Sequence, residues 1–299
     1  MQDPAFSAPG RFWRGNLHTH SNRSDGALSP EEVCRRYKAE GYDFIALTDH
    51  FIGPFDYPIV DTTPFRDETF KTILGAEIHS GAMENGELWH ILAVGLPTDF
   101  APSNSPGFEP IAAQETGPEL AQRARDAGAY VAVAHPEWGG SLRAAHAVEV
   151  YNHGCQVGAD RAEGFWHLDR LLEEGRQLTL CATDDAHFTE PDHFGGWTMV
   201  KAERNTPDAL MAALKAGHCY ASTGPHIHHV DWRPDEVEIH CSASASVIVQ
   251  GKACAAVAQH GQSMTRVTLP LGRVGNSPWL RLTVIDRAGK RAWTNPIWR

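Results

Sequence analysis

LTLCATDDAH, residues 178–187, decides how the chain is read: six β-prone, largely apolar residues run directly into two carboxylates and an imidazole. A strand buried on both faces reads as a short apolar run, and polar residues gathered at its end are delivered to one edge of the sheet. The same pattern recurs in both directions along the chain. FIALTDH (44–50), TILGAEIHS (72–80), LWHILAVG (88–95), YVAVAHP (130–136) and AVEVYNHG (147–154) carry acids or histidines in or after their apolar runs, and WTMVKAE (197–203) is a further candidate strand.

Amphipathic segments at helical period separate these runs, so residues 11 to about 225 read as an α/β protein. Ser29 as cap, Pro30 in the first helical position, Glu32 completing a capping box and Gly41 after the last turn delimit one helix. Thr206 and Pro207 open another, TPDALMAALKAG (206–217), in the same way. Residues 97–118 are rich in Pro, Ser and Gly and read as a long surface loop or lid. After residue 228 the helix-forming runs give way to EVEIHCSAS, SVIVQGKA, TRVTLPL and a last segment ending in TNPIW, with a hairpin turn near Arg287 to Gly289. Two units are expected, residues 1–228 and a small all-β module over residues 229–299.

The charge balance narrows the function. Asp and Glu outnumber Lys and Arg by 37 to 26, and no basic tract is present, which argues against a broad nucleic-acid surface. No apolar run is long enough for a membrane span, and MQDPAFSAPGRFWRG lacks the basic and apolar regions of a secretory signal, so a cytoplasmic protein is expected. The six cysteines are scattered without a CxxC pair and read as reduced, packed thiols. Oligomeric state leaves no mark in the sequence.

The 17 histidines matter through where they fall. His18 and His20 follow the first strand, Asp49 and His50 the next, and Glu77 ends a third; His90, His135, Asp184, Asp185 and His187 continue the series. In a barrel-like α/β fold the C-terminal strand ends converge on one rim, so these residues would ring a single pocket. Imidazole and carboxylate together suit Zn, Mn and Fe, and in an extended segment His18 and His20 project to the same side. A histidine standing alone, such as His146, His167, His218, His240 or His260, reads as a surface or hydrogen-bonded residue, and His90 by itself would read as a core histidine. The joint pattern carries the metal reading, because burying so many titratable groups without a partner is costly.

These motifs, LHTHSNRSDG, FIALTDH, GAEI, HILAVG, VAHP, TDDAH and, near the end, YASTGP, cover most of residues 12–224 and together resemble the polymerase and histidinol phosphatase (PHP) family of metal-dependent hydrolases. The resemblance implies a distorted (β/α)7 barrel with two or three divalent metals, Mn, Zn or Fe, at its C-terminal rim. By motif, His18, His20 and Asp185 would bind the first metal, Glu77 would bridge first and second, His90 and His135 would complete the second, and Asp25, His50 and His187 would hold a third. Asn16 stands where many relatives carry an aspartate, and Asp185 rather than Asp184 is favoured by its spacing to His187. The β tail and its TNPIW ending resemble a branch of the family that includes a carbamate-ester hydrolase.

The expected activity is phosphoester hydrolysis of a small phosphorylated metabolite or nucleotide by a metal-bridging hydroxide, with Glu77, Asp185 and His187 acting through the metals. Hydrolysis of a carboxylic or carbamic ester at the same centre is the alternative, and a non-catalytic metal-stabilised module is the reading from another class. Arg23 is a candidate phosphate contact, and His79, Asn152, His153 and His193 are candidates for substrate contact or leaving-group protonation.

Overall fold

The structure is a computed structural model that describes residues 3–110, 115–135 and 142–299; Pro136 of the YVAVAHP run and residues 111–114 of the long loop lie outside it. A short helix α1 (Pro4–Ser7) precedes β1 (Arg11–Asn16), α2 (Pro30–Ala39), β2 (Phe44–Leu47) and the two-residue β3 (His50–Phe51). The chain continues through β4 (Lys71–Ala82), β5 (Leu88–Val94), α3 (Gly117–Asp126), β6 (Tyr130–Val133), β7 (Ala147–Asn152), α4 (His153–Ala159), α5 (Phe165–Glu173) and β8 (Thr179–Thr183). Then come β9 (Trp197–Ala202), α6 (Pro207–Lys215) and β10 (Cys219–Ser222).

Hydrogen bonding orders the strands β10-β9-β1-β2-β4-β5-β6-β7-β8. The pairs β1–β2, β2–β4, β6–β7 and β7–β8 are parallel, whereas β5 is antiparallel to both neighbours and β9 is antiparallel to β1 and β10. The direction reverses at β5 because β4 returns through the tight Met83–Gly86 turn, where Gly86 takes φ +88°. One apolar cluster draws Leu17, Phe44, Ile73, Leu92, Ala132, Ala147, Cys181 and Val200 from successive strands of this path, so the sheet curls around a shared interior. The last strand of this path, β8, returns to β9 through one side chain: the Thr198 hydroxyl donates to the Ala182 carbonyl and accepts from the Ala182 amide.

Local chemistry explains most helix boundaries. Ser29 accepts from the Glu32 amide with Pro30 behind it, yet the capping box expected there is only half made. Glu32 instead spends its carboxylate on Arg35 and Arg36. A complete box forms at α3, where Thr116 and Glu119 cap each other, so the long loop ends at Thr116. Thr206 caps α6 through the Ala209 amide.

Beyond Pro225 the chain forms only strands and one 3-10 turn: β11 (Ile227–Trp232), β12 (Glu236–Gln250), β13 (Ala256–Pro270), β14 (Trp279–Ile285), β15 (Arg291–Thr294) and β16 (Ile297–Trp298). EVEIHCSAS and SVIVQGKA, read separately in the sequence, are one strand, β12, with register shifts in its pairing to β13 between His240 and Ser246. The hairpin joining β14 to β15 turns at Asp286–Lys290, with Gly289 at φ +82°. Because β15 pairs with β10, the tail continues the main sheet. Asn295 of the TNPIW ending reaches between β8 and β10, accepting from the Leu180 amide and donating to the Gly217 and Cys219 carbonyls. Among the described residues no two cysteines form a disulfide.

Candidate metal centre

Two extended segments leave the same end of the sheet side by side. The His20 amide donates to the Ala186 carbonyl and the Asp185 amide to the His18 carbonyl, so the stretch after β1 is zipped to the stretch after β8. The two-residue period of an extended chain then turns His18 and His20 to one side, with ring centroids 5.2 Å apart. Asp185 Oδ1 lies 3.1 Å from His18 Nε2 and 2.9 Å from His20 Nε2.

Glu77, fully buried on β4, sits at the middle of the cluster. Its Oε2 faces His50 Nδ1 at 2.7 Å, His18 Nε2 at 3.5 Å and His20 Nε2 at 3.7 Å. Its Oε1 faces His90 Nδ1 at 2.8 Å and His135 Nε2 at 3.0 Å. The two oxygens of one carboxylate are thus divided between two sets of imidazoles. Asp25 closes the outer side, 3.4 Å from both His50 Nε2 and His187 Nε2. Four groups have ligand atoms within 4.8 Å of one another: His18, His20 and Asp185; His18, Glu77 and His135; His50, Glu77, His79 and His90; and His20, Asp25, His50 and His187.

Burial works against every charge here, and the outcome for each group depends on its neighbours. For His18 the carboxylates of Asp185, Glu149 and Glu77 outweigh burial and raise its pKa well above the ordinary value. His50 and His135 are raised to about 10 and about 9 against the same opposition, chiefly by Glu77. His20 goes the other way, to about 3, through burial and the nearby His187 and His50. Burial would raise Glu77 and Asp185, but the surrounding imidazoles hold both well below the usual carboxylate range.

A second layer of residues holds these side chains; the sequence reading missed Glu149 and Asp192 and gave Asn152 a different role. Glu149, fully buried on β7, binds His18 Nδ1 at 3.0 Å, accepts from the His135 amide at 2.6 Å and receives the Thr183 hydroxyl. It thereby orients His18 by its ring and His135 by its backbone, where His135 takes the uncommon φ of +24°. A lone glutamate between valines in a buried run was the available signal. Asn152 caps α4 and donates to Glu149 and Asp185, which places it behind the ligands. Asp184 accepts from the Phe194, Gly195 and Gly196 amides and from the Tyr37 hydroxyl. Its carboxylate is engaged there, and Asp185 is the one turned to the histidines. Asp49 folds the first loop by accepting from Ser21 and Ser24, and Asp192 holds the His187 and Phe188 amides. Asn16 joins the Asp184 amide, the His18 carbonyl and the Tyr37 hydroxyl, a structural role.

The candidates for substrate contact fall in different surroundings. His79 is fully buried, with Nε2 2.9 Å from His50 Nδ1 and Nδ1 3.1 Å from the Trp89 carbonyl, so it sits inside the cluster and away from solvent. His153 is half-buried against the Tyr151 hydroxyl, and His193 stacks on Phe188. Arg23 is exposed on the loop that carries Asp25.

The donor set fits divalent metals. His18 Nε2 and Glu77 Oε2 are buried without a hydrogen bond, although each points at the other ligand atoms. A cation between them would supply the missing partner while separating imidazoles that otherwise repel. The curled sheet and the clustered donors define a metal-binding α/β protein. Residues 16–94, which span His18 to His90, match the family model of the PHP domain. It is 29% identical over 211 residues to an uncharacterized protein of Methanocaldococcus jannaschii, covering 66% of this chain and 84% of that one. It also superposes on a two-domain protein from Bacteroides vulgatus described as containing a predicted PHP-like metal-dependent phosphoesterase, with a TM-score of 0.52, 17% identity and 90% of both chains covered. At that identity the superposition speaks for the fold.

Proposed function

We propose that the protein is a metal-dependent phosphoesterase acting on a small phosphorylated substrate. The observation that carries this reading is Glu77, whose two oxygens are shared between His18, His20 and His50 on one side and His90 and His135 on the other. In this reading His18, His20 and Asp185 hold a first metal, Glu77 joins it to a second held by His90 and His135, and Asp25, His50 and His187 hold a third; Mn, Zn and Fe all suit such donors. Bound divalent ions supply an activated water near neutral pH and positive charge opposite the phosphoryl oxygens.

The chain's own residues set the rest. Glu149 and Asn152 fix His18, His135 and Asp185 in place, and Arg23 stands on the rim loop to meet a phosphate oxygen. The curled sheet is read as the distorted (β/α)7 barrel of the family, spanning residues 1–228, with residues 229–299 as a supporting β module. Phosphoesterase is also the activity class foreseen for the Bacteroides vulgatus protein.

A panel of phosphomonoesters, cyclic phosphodiesters and carboxylic or carbamic aryl esters, assayed with added Mn, tests the reading. Turnover of phosphate esters that falls at least about a hundredfold in His135→Ala, with the fold retained, is the expected result. Activity confined to carboxylic or carbamic esters would replace the phosphoesterase reading.

A further inference from the structure

Among the described residues three large apolar side chains are exposed, Phe108, Val157 and Trp166. Val157 and Trp166 lie on α4 and α5, whereas Phe108 touches the ligand histidines. Its ring centroid is 5.2 Å from that of His50 and 6.0 Å from that of His79, yet the residue is 43% exposed. Phe55 stands beside it at 5.9 Å and lies parallel to His50 at 6.3 Å.

This placement is built into the chain. The buried Ser105 donates its hydroxyl to the His79 carbonyl, and its own carbonyl accepts from the Gly53 amide and the Tyr57 hydroxyl. Gly53 is required for this approach, since a Cβ there would lie 2.8 Å from the Pro106 carbonyl oxygen. The loop bearing Phe108 is thereby fastened to the strand that carries Glu77 and to the turn that carries Phe55. Every ring contact of Phe108 is steep, at 86° to His50, 72° to His79 and 69° to Phe55. No parallel ring covers its face among the described residues. A phenyl ring held open to water beside a polar cluster gains most from a flat apolar partner.

We propose that Phe108 and Phe55 form a stacking platform for a planar aromatic group of the substrate, carried next to the phosphoryl group that binds at the metals. The proposal rests on the phosphoesterase reading and narrows its substrate to aryl or nucleoside phosphates. Phe108 is then a specificity-determining residue: it grips the group attached to phosphate and leaves the phosphoryl group to the metal centre.

Hydrolysis-resistant phosphonates test this without relying on turnover. Methylphosphonate, phenylphosphonate and an adenosine 5′-phosphonate are titrated calorimetrically into the Mn-loaded full-length protein, its Phe108→Ala variant and its Phe108→Tyr variant. One or both aromatic ligands should bind roughly tenfold tighter than methylphosphonate, the gain one ring stack supplies. That ratio should fall towards one in Phe108→Ala and return in Phe108→Tyr. A gain for phenylphosphonate marks an aryl substrate, and a gain for the adenosine ligand alone marks a nucleoside. Equal binding of all three, or a ratio unmoved by Phe108→Ala, overturns the platform while leaving the phosphoesterase reading standing. Failure of all three to bind overturns both.

Discussion

Glu77 and the imidazoles around it set the chemistry at the residue scale. His18, His50 and His135 hold protons in the metal-free protein at neutral pH, because their pKa values are raised, the latter two to about 10 and about 9. Metal ligation needs neutral imidazole, so loading must expel those protons, whereas His20, lowered to about 3, has none to give. Apparent metal affinity should therefore rise with pH between about 6 and 8, close to tenfold per unit for each proton displaced. Calorimetric titration of Mn in two buffers of different ionisation heat measures the release directly, and equal heats in both would contradict it. The same raised values add stability to the metal-free protein below about 6.5, which is lost as pH climbs through about 9 to 10. The clustered histidines and Asp25 were legible because each stands in a short motif in or after an apolar run. Glu149 was not, because its partners on β1 and after β6 and β8 are brought to it only by the fold.

The strand ends position the site at the scale of elements. Most strands of the main sheet were legible as apolar runs, since burial on both faces leaves little but apolar side chains. Strand direction was not. The reversal at β5 depends on a four-residue turn, and β9 follows a loop wound around Asp184 and Asp192 that sequence pattern does not reveal. Packing between β1 and β2 gives a sharp test. A Cβ on Gly15 would lie 2.1 Å from the ring of Phe44, which is fully buried and has no room to yield. Gly15→Ala should cost about 1–3 kcal/mol in chemical denaturation, as overpacking does, and an unchanged midpoint would show that the strands can slide apart.

Across the whole molecule, the tail is tied to the metal-binding half by polar contacts that composition does not show. Asp169 on α5 binds Arg281 of β14 and Gln250 of β12, and Asn295 bridges β8 and β10. The β character of residues 229–299 was legible, but its continuity with the main sheet through β15 was not, since strand pairing at that separation carries no local signal. Asn295→Ala would leave the Leu180 amide and two carbonyls without partners in a buried setting. A loss of about 2–4 kcal/mol in urea unfolding is expected, and a loss below about 0.5 kcal/mol would show that the tail packs independently.

Metal stoichiometry tests the central claim most directly. Plasma mass spectrometry of the reconstituted, desalted protein should find about two to three equivalents of Mn, Zn or Fe, falling to about one or fewer in Glu77→Gln, which removes the shared carboxylate. Less than one equivalent in the unaltered protein, or a full complement in the Glu77→Gln variant, would contradict a centre joined through Glu77.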